Sequence, residues 1–185
     1  GSTWSKDEEI LAHFFTQKQR EKPVHRLIIA PHEINEKHLL QIEKLLTVKS
    51  KRFSHCSEET DFEAENTQVL IVDNIGLLSS IYQYADYVYI GGGFGAGIHN
   101  TLEAAAFNLP LLFGPNYQRF QEAIDLINLR LAFSVKTKET LVCRFQQASH
   151  ENFLRNRTTT PEKYITDHTG ATSLIIKHLK RKHNI

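Results

Sequence analysis

The chain has 185 residues, of which 41% are hydrophobic, enough to form one substantial core in a single domain. Its 22 basic and 21 acidic residues nearly cancel, which argues against a general nucleic-acid-binding protein. No apolar run has the length of a membrane span. Cys56 and Cys143 lack metal-ligand spacing, so neither a zinc site nor a disulfide framework is predicted. The opening Gly1-Ser2 and the lack of methionine indicate a piece of a longer protein.

Apolar patterns predict a helix followed by alternating strands and helices. Ile10, Leu11, Phe14 and Phe15 form a helical stripe after hydroxyl and acidic residues that suit a helix N-terminus. The predicted strands are residues 24–30, 51–55, 68–72, 87–90, 109–113 and 131–135.

Helical faces follow the strands, and a last apolar helix with a basic end follows Thr169 and Gly170. The alternation gives about five parallel strands with crossover helices on both faces. We therefore expect an α/β class of fold, a Rossmann-like doubly wound parallel sheet, in a single domain over residues 1–185. Further C-terminal helices are expected from about residue 150.

The most informative pattern is the glycine-rich segment that follows the predicted strand 87–90. Glycines allow backbone N–H groups to approach a ligand closely, and a helix-like pattern begins just past His99 and Asn100. Because a helix N-terminus offers unpaired donors and a partial positive charge, the expected ligand is an anion such as a phosphate. The alternative is a turn that only packs a helix tightly against the sheet.

Two common nucleotide motifs are disfavoured. The spacing Gly91-x-Gly93-x-x-Ala96 satisfies the loose dinucleotide fingerprint, but the next strand ends in Phe113-Gly114 instead of the acidic residue that binds the ribose of NAD. No Gly-Lys-Ser/Thr follows the glycines, which excludes an ATP-type P-loop.

Polar residues also follow three of the predicted strands. His32 and Glu33 follow the first, Asp73 and Asn74 follow the third, and Asn116 follows the fifth. In open α/β sheets, ligands bind at the carboxyl ends of the strands. Each of these residues can equally be a solvated turn residue or a helix cap, so position alone leaves both interpretations open.

Residues 91–103, with the sequence Gly-Gly-Gly-Phe-Gly-Ala-Gly-Ile-His-Asn-Thr-Leu-Glu, resemble the C-terminal half of the 3-deoxy-D-manno-octulosonic acid (Kdo) transferases. The resemblance continues through residues 105–110, 113–116 and 120–123. Three further segments resemble motifs of the same half. They are Gly1-Ser-Thr-Trp4 with Glu8-Glu9, Ala30-Pro-His-Glu33, and Gly170-Ala171. If the first motif is native, the first strand of the domain lies just upstream or is lost.

The resemblance implies a GT-B glycosyltransferase that transfers Kdo from CMP-Kdo to a lipid A precursor in lipopolysaccharide biosynthesis. The enzyme would need no metal or other cofactor and would bind peripherally at the cytoplasmic face of the bacterial inner membrane. The acceptor groove and the catalytic base of the family lie in an N-terminal domain, so this piece is expected to be soluble and inactive alone. No residue in it is assigned a catalytic role.

The resemblance and the strand-end chemistry together assign candidate site residues for the donor. The glycines with His99 and Asn100 would hold the phosphate, and Glu103, about one turn into the helix, would accept from the ribose hydroxyls. The donor-nucleotide candidates are Pro31, His32, Glu33, Asn74, Ile75, Gly76, Gly92, Gly93, Phe94, Gly95, Gly97, His99, Asn100 and Glu103. The candidates for the donor sugar or phosphate are Ser2, Thr3, Asn116, Gln121 and Glu122. Arg119 is near, but the sequence does not give its direction.

Two other functions remain open from the sequence. One is another GT-B enzyme, such as a UDP-sugar transferase or epimerase. The other is a non-catalytic nucleotide- or sugar-binding module, because no Ser/His/Asp or paired-carboxylate arrangement with convincing spacing is present.

Overall fold

The computed structural model describes residues 1–21, 25–57, 65–149, 153 and 158–183. Val24 of the first predicted strand, most of the loop 57–67 and part of the region from 150 lie outside these ranges. The strands are β1 (Leu27–Ile29), β2 (Ser50–Arg52), β3 (Val69–Ile71), β4 (Val88–Ile90), β5 (Leu111–Phe113) and β6 (Ala132–Ser134). The helices are α1 (Ser5–Glu21), α2 (Glu36–Leu45), α3 (Leu78–Ile81), α4 (Leu102–Ala105), α5 (Gln121–Asn128), α6 (Lys138–Gln147), α7 (Pro161–Asp167) and α8 (Ala171–His183).

The six strands form two parallel sheets of three strands each, in the orders β1-β3-β2 and β4-β5-β6. Leu27 pairs with Val69 in the first sheet, and Val88 pairs with Leu111 in the second. Central strands β3 and β5 are apolar and almost wholly buried, as expected for parallel strands covered by helices on both sides. The predicted α/β class and parallel arrangement are confirmed.

Residues 1–3 lie between the two sheets and bond to both. Thr3 donates its N–H to the carbonyl of Ala30, and His32 donates to the carbonyl of Thr3, at the end of β1. On the other side, Gly91 donates to the carbonyl of Gly1 at 2.9 Å, just past β4. Below this bridge, a cavity of about 470 Å³ separates the edges of β1 and β4.

Helix α1 packs against both sheets. Ile10, Leu11 and Phe14 belong to a buried cluster with residues of β4 and β5, whereas Phe15 packs with residues of β1 and α2. The predicted apolar stripe is therefore the element that joins the two halves of the core. A third buried cluster, around Phe113, fills the space between β4-β5-β6 and the helices on its other face.

One local prediction is wrong. The predicted strand 51–55 ends at Arg52, and Phe53–His55 form a single 3-10 turn. Asp73, for which the sequence left several roles open, accepts from the backbone N–H of Ser54 at 2.9 Å and from its hydroxyl.

The last helix, α8, begins after Gly170 as predicted, but its apolar side chains are 48–69% exposed. Within the described residues, no helix is both long enough and apolar enough to span a membrane.

Candidate functional site

The glycine loop, residues 91–97, begins where β4 ends and is closed by hydrogen bonds within itself. Gly95 and Gly97 donate to the carbonyl of Gly92 at 3.0 and 3.3 Å, and His99 donates to the carbonyl of Gly91. Gly92 has a φ of +89°, in the left-handed region that glycine adopts without strain. The sequence pattern thus forms a compact turn at the carboxyl end of a parallel strand.

Close packing explains some of these glycines without a ligand. A Cβ on Gly93 would lie 2.6 Å from the Cα of Gly114, and one on Gly91 would lie 2.1 Å from the carbonyl oxygen of Ser2. Gly95 is different, because its nearest neighbour would be 3.8 Å away and the residue is exposed. The packing interpretation therefore holds for Gly91 and Gly93, while the tip of the loop remains open to a ligand.

Free backbone donors lie on this loop. The N–H groups of Gly93, Phe94 and Ala96 make no hydrogen bond to any residue in the described part of the chain. Gly92 is not among them, because its N–H donates to the buried carboxylate of Asp7 at 2.9 Å. Successive unpaired N–H groups in a turn form a concave site for an anion.

Asn100 and Glu103 form a small polar unit after the loop. The amide of Asn100 donates to Glu103 Oε1 at 2.9 Å, and its oxygen accepts from the N–H of Leu102 at 3.0 Å. Glu103 lies in the first turn of α4, not one turn into it, and its carboxylate is exposed. Because α4 has only four residues, its dipole contributes little, and the loop N–H groups are the main donors.

Two residues after β5 contact the loop. Asn116 donates its backbone N–H to the carbonyl of Gly93 and its side-chain amide to the carbonyl of Gly95, each at 2.9 Å. Arg119 donates to the carbonyl of Ala96. Asn116 thus holds the loop in place, and Arg119 supplies a cation beside it, in a direction that the sequence did not give.

Three rings form an aromatic stack, consisting of Trp4, His32 and His99, beside the loop. The ring centroids of Trp4 and His32 are 4.6 Å apart, and those of His32 and His99 are 4.4 Å apart. Trp4 also donates its indole N–H to Nε2 of His99 at 3.2 Å. Burial, and then the nearby His32, lower the pKa of His99. The structure thus brings together His32 and His99, two of the predicted site residues.

Two acids of the first helical turn are buried beneath the site. Asp7 accepts from the hydroxyl of Tyr89 at 3.0 Å and from the N–H groups of Gly92 and Trp4. Burial, and then the charge of Asp7, raise the pKa of Tyr89. Sequence reasoning missed Asp7, because acids at a helix start are usually exposed and interact with the helix dipole.

Several predicted site residues are engaged elsewhere. Thr3, predicted to donate to a phosphate or carboxylate, is 1% exposed and donates its hydroxyl to Glu8 at 2.9 Å. Gln121 donates to Asp125 within its own helix at 2.8 Å. Glu122 lies in the first turn of α5. Ser2 adopts a positive φ of 53°, and its carbonyl oxygen lies against Gly91.

The loop after β3 carries three more of the predicted site residues. Asn74, Ile75 and Gly76 are exposed, Ile75 by 94%. Among the contacts of described residues, no hydrogen bond joins these three residues to the glycine loop. Pro31 is buried, and the carbonyl of Glu33 accepts from Nδ1 of His38 at 2.9 Å.

Comparisons with known proteins find Kdo transferases and a further glycosyltransferase. A 3-deoxy-D-manno-octulosonic acid transferase of Chlamydia trachomatis serovar A is 32% identical over 149 residues, 77% of this chain and 32% of the relative. The transferase of Aquifex aeolicus is 25% identical over 80% of this chain and 40% of its own length. A bifunctional glycosyltransferase/methyltransferase of Fusobacterium nucleatum is 25% identical over 82% of this chain. No protein-family model matches the chain.

One solved structure has the same fold. It is the C-terminal CMP-Kdo binding domain of WaaA from Acinetobacter baumannii, which matches with a TM-score of 0.68 at 21% identity over 84% of this chain and 83% of that one. The chain spans less than half the length of the curated relatives it matches, 40% of the Aquifex protein and 23% of the Fusobacterium protein. Sequence and fold together identify the chain as a relative of the Kdo transferases, with the fold of the C-terminal CMP-Kdo binding domain of WaaA.

Proposed function

We propose that the chain is the donor-binding domain of a Kdo transferase and that it binds CMP-Kdo at the glycine loop. The observation that carries this proposal is the set of unpaired N–H groups at Gly93, Phe94 and Ala96, on a loop that Arg119 contacts and that Glu103 follows in the chain. An anion and a vicinal diol on one ligand match these groups, and a nucleoside monophosphate sugar offers both.

Each of these groups has a chemical role in this proposal. The loop N–H groups donate to the phosphate oxygens of CMP. Glu103, held by Asn100, accepts from the two ribose hydroxyls, which a carboxylate can do with both oxygens. Arg119 exchanges the carbonyl of Ala96 for the carboxylate or phosphate of the donor, because a charged acceptor binds guanidinium more strongly.

In the full-length protein, these groups stabilise the departing CMP while the acceptor attacks the anomeric carbon. Donors aimed at the leaving phosphate lower the barrier as its negative charge grows. The acceptor is a lipid A precursor, and the reaction takes place at the cytoplasmic face of the inner membrane. The base that activates the acceptor comes from outside this chain, which holds only the donor.

Calorimetric titration of the chain with CMP, UMP, UDP and NAD tests the proposal. CMP is expected to bind best and NAD not at all. Glu103→Gln should lower the affinity for CMP about 10-fold, since a hydrogen bond to a charged group contributes about 1.5 kcal/mol or more. Glu162→Gln is the matched control, because Glu162 is also an exposed glutamate in the first turn of a helix, α7, and among the described contacts it makes no hydrogen bond to the glycine loop.

Two results would contradict the proposal. Preferential binding of UDP would favour another GT-B sugar-nucleotide enzyme. An unchanged CMP affinity in Glu103→Gln would show that Glu103 does not make the ribose contact on which the assignment depends.

A further inference from the structure

The aromatic stack has a feature that CMP binding alone does not require, a direct hydrogen bond between two of its side chains. Trp4 Nε1 lies 3.2 Å from His99 Nε2. An indole N–H can only donate, and an imidazole nitrogen can accept only when it carries no proton. His99 must therefore be unprotonated at Nε2, and in the neutral ring its proton resides on Nδ1.

Packing holds the ring in this orientation. A Cβ on Gly92 would lie 3.0 Å from Cδ2 and 3.2 Å from Nε2 of His99, so this ring edge faces the glycine loop and Trp4 closely. The ring face stacks on His32 with an interplanar angle of 25°. Nδ1, on the other edge of the ring, makes no hydrogen bond to a residue in the described ranges.

We propose that Trp4 is a positioning residue that fixes His99 as the neutral tautomer protonated at Nδ1, so that His99 presents a single N–H donor to the bound ligand on the ring edge away from Trp4. The part of this proposal that concerns the ligand rests on the proposed function. An oxygen atom of the bound CMP-Kdo would accept the hydrogen bond from Nδ1 of His99. A protonated ring would lose the bond from Trp4, because two N–H groups would then face each other.

The electrostatic surroundings act in the same direction. Burial of the ring, followed by the neighbouring His32 at the end of β1, lowers the pKa of His99, and only the charge of Asp7 on α1 opposes this. His99 therefore serves as a hydrogen-bond donor, and Arg119 supplies the positive charge at the loop.

Nitrogen NMR of the chain labelled with ¹⁵N in its histidine rings tests the tautomer without any ligand. His99→Gln identifies the resonances of His99. In the wild type we expect an unprotonated Nε2 and a protonated Nδ1 near neutral pH. Trp4→Phe keeps an aromatic ring but removes the donor. It should give a mixture of tautomers and raise the titration midpoint of His99 by about 0.5 to 1 unit.

Controls separate the lost hydrogen bond from a disturbed fold. The chain has a single tryptophan, so benzothienylalanine, a bicyclic ring without the N–H, can replace it by biosynthetic incorporation and should reproduce the effect of Trp4→Phe. Tyr84→Phe, at a tyrosine that is 76% exposed, should leave the spectrum of His99 unchanged. A protonated Nε2 in the wild type, or an unchanged tautomer in both Trp4 variants, overturns the proposal.

Titration with CMP completes the test. We expect Trp4→Phe to lower the affinity for CMP by about 2- to 10-fold, the effect of one misplaced hydrogen bond. If Glu103→Gln lowers the affinity for CMP but Trp4→Phe does not, the part of the proposal that concerns the ligand is wrong and the proposed function stands. If the wild type does not bind CMP, the proposed function fails, while the NMR result still decides whether Trp4 fixes the tautomer.

Discussion

At the scale of single residues, Glu8 is a buried carboxylate with two side-chain partners. It is 1% exposed, accepts from the hydroxyl of Thr3 at 2.9 Å, and lies 2.8 Å from Nε2 of His38. The other nitrogen of His38 donates to the carbonyl of Glu33. Both ring nitrogens therefore act as donors, which is the arrangement of an imidazolium paired with a carboxylate. Burial opposes the charge on His38, but the bond and charge of Glu8 outweigh it and raise the pKa of His38.

This pair predicts a pH-dependent stability. A histidine whose pKa is raised by folding contributes stability that is complete below its ordinary value, about 6.5, and is lost as pH rises through the raised value. In urea unfolding, the free energy of unfolding of the wild type should exceed that of His38→Gln most at about pH 6. This difference should shrink toward pH 9. His13→Gln, at an exposed histidine of α1, is the control. A difference that grows with pH would contradict the pairing.

Removal of the carboxylate should be more damaging. Glu8→Ala leaves His38 buried beside an empty space and leaves Thr3 without its acceptor. We expect a loss of about 3 kcal/mol in the free energy of unfolding near pH 6, as for other buried pairs that lose one partner. Glu9→Ala, at the exposed neighbour whose partner is Lys6, should cost much less. Urea unfolding of both variants measures the contrast, and equal losses would contradict a special role for Glu8.

At the scale of elements, the strand–loop–helix unit from β4 to α4 depends on a close approach of two backbones. A Cβ on Gly93 would lie 2.6 Å from both the N and Cα atoms of Gly114, and backbone cannot rotate away as a side chain can. Gly93→Ala should therefore destabilise the fold by about 1–3 kcal/mol, as other overpacked substitutions do. Gly95→Ala, with 3.8 Å of space, should leave thermal stability nearly unchanged. Equal stability of the two variants would contradict this.

The sequence predicted this unit well because its information is local. A buried β-rich run, the glycines and the helical spacing lie within about twenty consecutive residues, so periodicity and turn chemistry suffice. The position of Arg119 could not be predicted in the same way. Its contact with Ala96 joins residues 23 positions apart, and only the fold determines which way such an exposed side chain points.

At the scale of the whole molecule, the two sheets are held together by α1 and by the residues just before it. Their hydrogen bonds cross 82 to 88 positions of sequence, from Asp7 to Tyr89 and from Gly1 to the end of β4. The sequence predicted one doubly wound sheet from the alternation of elements. It predicted about five strands where the described residues form six, and it did not predict two sheets of three, because alternation gives the direction of strands but not every lateral neighbour.

Adjacent acids on α1 connect to opposite halves of the molecule, and this arrangement predicts how the fold comes apart. Asp7 bonds to Tyr89 and Gly92 beside β4, whereas Glu8 bonds to His38 on α2, which packs with β1 and β3. Asp7→Ala removes the carboxylate that accepts from Tyr89 and Gly92, so these bonds to the second sheet are lost.

Hydrogen exchange can therefore distinguish the two sheets. In the wild type, amides of β3 and β5 should exchange with the same free energy, because the sheets open together. In Asp7→Ala, protection of β5 should fall by about 1.5–3 kcal/mol, the value of hydrogen bonds to a charged group, and by more than protection of β3. Glu9→Ala, at an exposed acid two residues further along α1, should change neither strand. Equal losses in both strands would mean that Asp7 stabilises the molecule as a whole, and that the two sheets do not open separately.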